Sequence, residues 1–143
     1  MTFYQPINIT SATLSLTTAA HAGAAIVASR AAGITMTLPA SSGSGAKFRV
    51  IVNTTITSNN LIVAVANSTD VMTGTALVAQ DGGDTSVMFE TAADSDTITM
   101  NGSTKGGIKG DIIELEDIAS GLWSVSISSS GTGTEATPFS AAV

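Results

Sequence analysis

The stretch Gly110–Ser128, GDIIELEDIASGLWSVSIS, constrains this chain more than any other. Ile113 and Leu115 fall on one side of it, and Glu114 and Glu116 on the other. Further on, Trp123, Val125 and Ile127 fall on one side, and Ser124, Ser126 and Ser128 on the other. Successive side chains of a strand point to opposite faces, so each run reads as a strand with one dry and one wet face. Asp117, Ser120 and Gly121 supply turn chemistry between them. The stretch predicts a β-hairpin on an all-β core. Its tryptophan, the single one in the chain, can bury more surface than any other side chain present.

The same alternation recurs along the chain. Ile34, Met36 and Leu38 oppose Thr35 and Thr37, with Pro39 as the stop. Phe48, Val50 and Val52 oppose Lys47 and Arg49. Val87 and Phe89 share a face, and Ile98 and Met100 point inward with Thr97 and Thr99 outward. Leu61–Val65 is continuously apolar, as in a strand covered on both faces. Val71–Ala79 reads as a strand weakened by Gly74. Ile7 and Ile9 differ in parity from Leu14 and Leu16, which predicts a bulge or break near Ser11. Residues 19–32, AAHAGAAIVASRAA, fit a helix by their alanines. A short strand at Ala24–Ser29 is the favoured reading, because only Ile26 and Val27 are large and a helix so poor in large apolar residues has little to hold it down. Strands every 8–12 residues with turn signals between them predict a single small β-sandwich or barrel domain.

Three regions follow. Residues 1–18 form an N-terminal arm and first strand, residues 19–128 the β domain, and residues 129–143 a C-terminal tail. The arm, MTFYQP, is held extended by Pro6 and carries Phe3 and Tyr4. The Gly/Ser/Thr-rich tail, SSGTGTEATPFSAAV, carries Phe139. Phe3, Tyr4 and Phe139 are therefore the candidate docking or oligomer contacts.

Composition sets the functional class. Charged residues make up 11% of the chain and aromatics 4%, and the mean hydropathy is +0.37. So few charges leave apolar patches uncovered, which predicts self-association or docking on a larger body. The net charge of −6 argues against nucleic acid, since phosphate contacts need many Lys and Arg. The absence of cysteine excludes disulfides and thiolate metal sites. No apolar run is long enough to span a bilayer, and MTFYQPINIT lacks the plan of a secretory signal.

No enzyme, metal or cofactor is expected. His21 is the single histidine, and no G-x-S-x-G elbow is present. DGGD at 81–84 and ADSD at 93–96 place carboxylates at spacings that can serve Ca²⁺, but Asp populates turns for local reasons and neither matches an EF-hand loop. Glu114 and Glu116 share one strand face instead of opposing each other across a cleft, as glycoside hydrolysis requires. GSTKGGIKG lacks P-loop spacing.

Five segments in order carry a resemblance. They are TLPASSGSGAKFRV at 37–50, VANSTDVMTGTALVAQDGGD at 65–84, FETAADSDTITMNG at 89–102, KGDIIELEDIASGLWSV at 109–125 and GTGTEATPFS at 131–140. From Thr37 to the end the chain resembles small virion proteins of tailed bacteriophages. The resemblance implies a capsid decoration, or cement, protein: a β-rich homotrimer on the outer capsid surface whose partner is the major capsid protein. It carries no catalytic motif to transfer. Two alternatives stand beside it, a head or tail fibre or receptor-binding component and a carbohydrate-binding β module. The last should show a row of exposed aromatics.

Overall fold

Alternation becomes two packed sheets in the computed structural model, which describes residues 5–83 and 85–143. The first half of the chain winds between the layers. Strands β1 (Ile7–Ile9), β3 (Ala25–Ala28) and β5 (Lys47–Val52) lie side by side and parallel in one sheet. Strands β2 (Thr13–Ser15), β4 (Ile34–Thr37) and β6 (Leu61–Ala64) do the same in the other. Parallel neighbours need a crossover, and here each crossover is a strand of the opposite layer. The parity change near Ser11 is thus a change of sheet. Between β2 and β3 sits one helical turn, α1 (Thr18–His21), whose N-cap Thr17 accepts from the Ala20 N–H. Residues 19–32 therefore hold both structures that their composition allowed, the helical turn first and the strand after it.

The second half completes the layers. Strands β7 (Val71–Gln80), β8 (Ser86–Glu90), β10 (Ile112–Ala119) and β11 (Leu122–Gly131) extend the first sheet to seven strands, ordered β1-β3-β5-β10-β11-β7-β8. Strands β9 (Thr97–Met100) and β12 (Phe139–Ser140) bring the second to five, ordered β12-β9-β6-β4-β2. The hairpin β10–β11 closes the gap between β5 and β7, with Ile113 opposite Ile127 and Leu115 opposite Val125. The core lies between the layers. Trp123, Phe48, Ile26, Val50 and Ile113 of the large sheet meet Ile34, Met36, Leu61, Val63 and Met100 of the small one, all of them fully buried.

Several expectations need correction. Asp117 is not a turn residue. It lies inside β10 opposite Trp123, buried, and the turn is Ser120-Gly121 with a register shift at Ile118. Leu61–Val65 is core on one face only, for Ile62 and Ala64 are half-buried. Thr97 is buried because its hydroxyl donates to Asp96 and Ser140 of β12 covers it. No tail begins at Ser129. Strand β11 runs on to Gly131, and Phe139 pairs with Ile98 at the rim of the small sheet.

Gly74 does not weaken β7, which stays paired with β11 without a break from Val71 to Gln80. A Cβ at Gly74 would lie 1.8 Å from the carbonyl oxygen of Val125, and its φ of +151° is one that side chains disfavour. Gly74→Ala is expected to cost more than about 1 kcal/mol. A urea-denaturation midpoint equal to that of the wild type would contradict the close approach.

Candidate docking surface

Of the three contacts expected from sequence, Phe3 and Tyr4 lie outside the described residues. Phe139 is inside them and belongs to the chain's own core, at 7% exposure. The C-terminal segment is tied down by its backbone. Pro138 accepts from the Thr99 N–H, and the Asp96 carboxylate accepts from the N–H groups of Ala142 and Val143. Phe139 is thus an intramolecular anchor.

One broad surface that the fold leaves open is the outer face of the seven-stranded sheet. Laterally paired residues share a face, so the strand registers define rows across it. One row is polar: Arg49 beside Glu114, then Ser126, Thr75 and Glu90. Arg49 Nε lies 3.7 Å from the Glu114 carboxylate, both largely exposed, so the pair contributes little to stability. The adjoining row is Lys47, Glu116, Ser124 and Thr73, and its first three residues line a broad depression of about 1040 Å³ together with Arg49, Glu114 and Ser126.

The row on the other side of Arg49–Glu114 is apolar. It runs Asn8, Val27, Ile51, Ile112, Ser128, Leu77, Met88, and so crosses all seven strands. Val27, Ile51, Ile112 and Leu77 are partly exposed, and Met88 is 62% exposed. All five stand at positions where strict alternation calls for polar residues. Their signal in the sequence is a break in the period: Val50-Ile51-Val52, Ile112-Ile113, Ala76-Leu77-Val78 and Val87-Met88-Phe89 are each consecutive apolar runs. Such runs can look like stronger strands when read singly. Only the register shows that their odd members line up on the outside.

The acidic residues hold loops. The Asp117 carboxylate accepts from the N–H groups of Ser42, Gly43 and Ser44 and from the Ser44 hydroxyl. Burial pushes its pKa up, but these donors outweigh that, Ser42 foremost, and bring it down to about 2. Asp70 accepts from the Ser41 N–H next door. Asp111 accepts from the N–H groups of Gly107 and Ile108 and from Ser130, yet burial dominates and raises its pKa. At Asp96 burial is opposed by the Ala142, Thr97 and Val143 donors, and the balance is a lowered pKa. Asp96 is therefore occupied by the Ala142 and Val143 N–H groups, and ADSD is a structural turn. The His21 ring accepts from the Thr17 N–H at the start of its own helical turn. Among the described residues no group of three or more His, Asp or Glu side chains converges as a metal site. None of the described aromatic side chains is exposed: Phe48, Trp123 and Phe139 are buried and Phe89 is partly so.

Set against known proteins, the chain matches no family model, no curated protein and no solved structure.

Proposed function

We propose that this chain is a structural virion protein that binds the outer surface of a tailed-phage capsid and stabilises it, as a decoration or cement protein does. The observation that carries the reading is the apolar row on the outer face of the large sheet. The inner face of that sheet already fills the core, and the outer row lies outside that core. The row is apolar on either side of Ser128, through Val27, Ile51 and Ile112 and through Leu77 and Met88, and exposed apolar patches of this kind mark contact surfaces. The resemblance from Thr37 onward supplies the partner, the major capsid protein. A cement protein works by mass action, because it binds the assembled shell and not the separated subunits. The row itself carries no charged residue, so attachment through it is only weakly sensitive to salt.

The test uses particles that lack this protein. Wild type and the double variant Ile51→Thr/Leu77→Thr are added back, and bound copies and the particle melting temperature are measured. The wild type is expected to saturate the shell and to raise its melting temperature. Each lost anchor removes roughly 1.4 kcal/mol or more, hence about tenfold in affinity. A folded variant that binds as the wild type does, or a wild type that leaves particles unchanged, overturns the reading.

A further inference from the structure

Two sheets have four edges, and three of them are blunted. Strand β1 is three residues long and follows Pro6, β2 is three residues long, and β12 is two residues long and follows Pro138. Short length and proline are the means by which proteins keep edges from pairing with other chains. Strand β8, Ser86-Val87-Met88-Phe89-Glu90, has neither proline nor lysine, and β7 is its one partner strand among the described residues.

The direction of its backbone groups follows from the ladder. The Gln80 N–H donates to the Thr85 carbonyl at 3.0 Å, and the Thr91 N–H donates to the Gly74 carbonyl at 3.1 Å. Hydrogen-bonded pairs alternate along an antiparallel ladder, so with Val78 opposite Val87 and Ala76 opposite Phe89 those residues bond toward β7. The N–H and C=O groups of Ser86, Met88 and Glu90 therefore face outward along the open edge.

We propose that this edge pairs with the β8 edge of a second copy of the chain, antiparallel, about a two-fold axis at Met88. The strand is self-complementary in that register. Met88 meets Met88, Ser86 meets Glu90, and Val87 meets Phe89. Every outward N–H and C=O group of the five residues gains a partner, whereas a shift by one residue leaves a strand end unpaired. Val87 against Phe89 is a β-branched–aromatic pair, favourable across strands. Glu90 faces a serine, and the two glutamates stand roughly 14 Å apart along the seam, beyond the screening length of physiological salt. The two seven-stranded sheets join into one, and the apolar row continues across the axis through Leu77 and Met88 of each copy. This contact is two-fold, not the three-fold that the resemblance implies. It does not depend on the capsid reading, since it forms in solution without particles.

The test is sedimentation equilibrium at micromolar concentration together with two kinds of variant. The wild type is expected to be a dimer. Met88→Pro removes an N–H that faces the open edge and leaves the β7 ladder intact, so it is expected to be a folded monomer by the same measurement. Met88→Cys places the sole thiols of the dimer opposite each other, where Cα atoms of a hydrogen-bonded pair sit about 5.5 Å apart, within disulfide reach. It is expected to cross-link at least tenfold faster than Ser126→Cys, whose thiol lies mid-sheet on the same face. Should Met88→Pro fail to fold, the cysteine pair decides. A monomeric or trimeric wild type, or equal cross-linking at the two positions, overturns the proposal. A monomeric wild type that loses particle binding on Met88→Pro also overturns it, and assigns the edge to a strand of the shell.

Discussion

Trp123→Ala is expected to destabilise the fold by about 3–5 kcal/mol. The indole is fully buried near the centre of the large sheet, with Asp117 and Met72 as its lateral neighbours. It also packs against Phe48, ring centroids 5.8 Å apart and planes tilted by 58°. Truncation removes this aromatic contact and leaves a cavity that two hydrogen-bonded neighbouring strands cannot close. Trp123→Phe keeps most of the volume and should cost less than half as much. The comparison is made on urea midpoints at constant slope. An alanine variant within about 1 kcal/mol of the wild type would mean that the layers collapse onto the gap, against the rigid packing expected of such a core.

Asp117→Ala should be comparably severe, at about 4 kcal/mol or more. The carboxylate gathers three consecutive backbone N–H groups and the Ser44 hydroxyl, at 2.7–3.1 Å. Hydrogen bonds to a charged group are each worth about 1.5–3 kcal/mol, and their loss leaves three part-buried N–H groups without their acceptor. Asp117→Asn keeps the shape but gives up the charge, and it also allows a test by pH. The folded pKa of about 2 lies below the ordinary carboxylate value of the unfolded chain. Stability from this group is therefore complete above the unfolded value and is lost as pH falls through about 2. Asp96, also lowered, acts in the same direction. Asp111, raised by burial, acts in the opposite one: its contribution is present at low pH and is lost as pH rises through its folded value. The urea midpoint of the wild type should fall on acidification from pH 5 to pH 2, and that of Asp117→Asn should fall less. Parallel curves would show that the three N–H groups do not hold a charge.

The strands were legible because one buried face imposes period two. Ile34-Met36-Leu38, Phe48-Val50-Val52 and Trp123-Val125-Ile127 all lie inward as read, and the hairpin pairs as expected. What the alternation could not show is which strand neighbours which. The parity change between Ile9 and Leu14 looks the same whether the chain bulges or changes sheet, and here it changes sheet. Asp117 reads as a turn residue because nothing in its own stretch reveals the donors, which come from Ser42–Ser44 more than seventy residues earlier. Phe139 looks like a loose anchor because its surroundings are Gly, Ser and Thr, and its partner Ile98 is remote in sequence. The outer apolar row was hidden for a related reason. Ile51, Ile112 and Leu77 are single residues out of phase, and they become a surface only when four strands, β5, β10, β11 and β7, are laid side by side.

The winding of the chain has a mechanical consequence. Of the connections between successive strands, only β7–β8 and β10–β11 stay within a sheet; every other one passes from one layer to the other. In a sandwich built of hairpins the layers are held to each other chiefly by side-chain contact, and a shearing load can slide them apart. Here the backbone itself stitches the layers together at many points, so such a load passes into covalent bonds and taut strand ladders. A plate of this construction resists delamination.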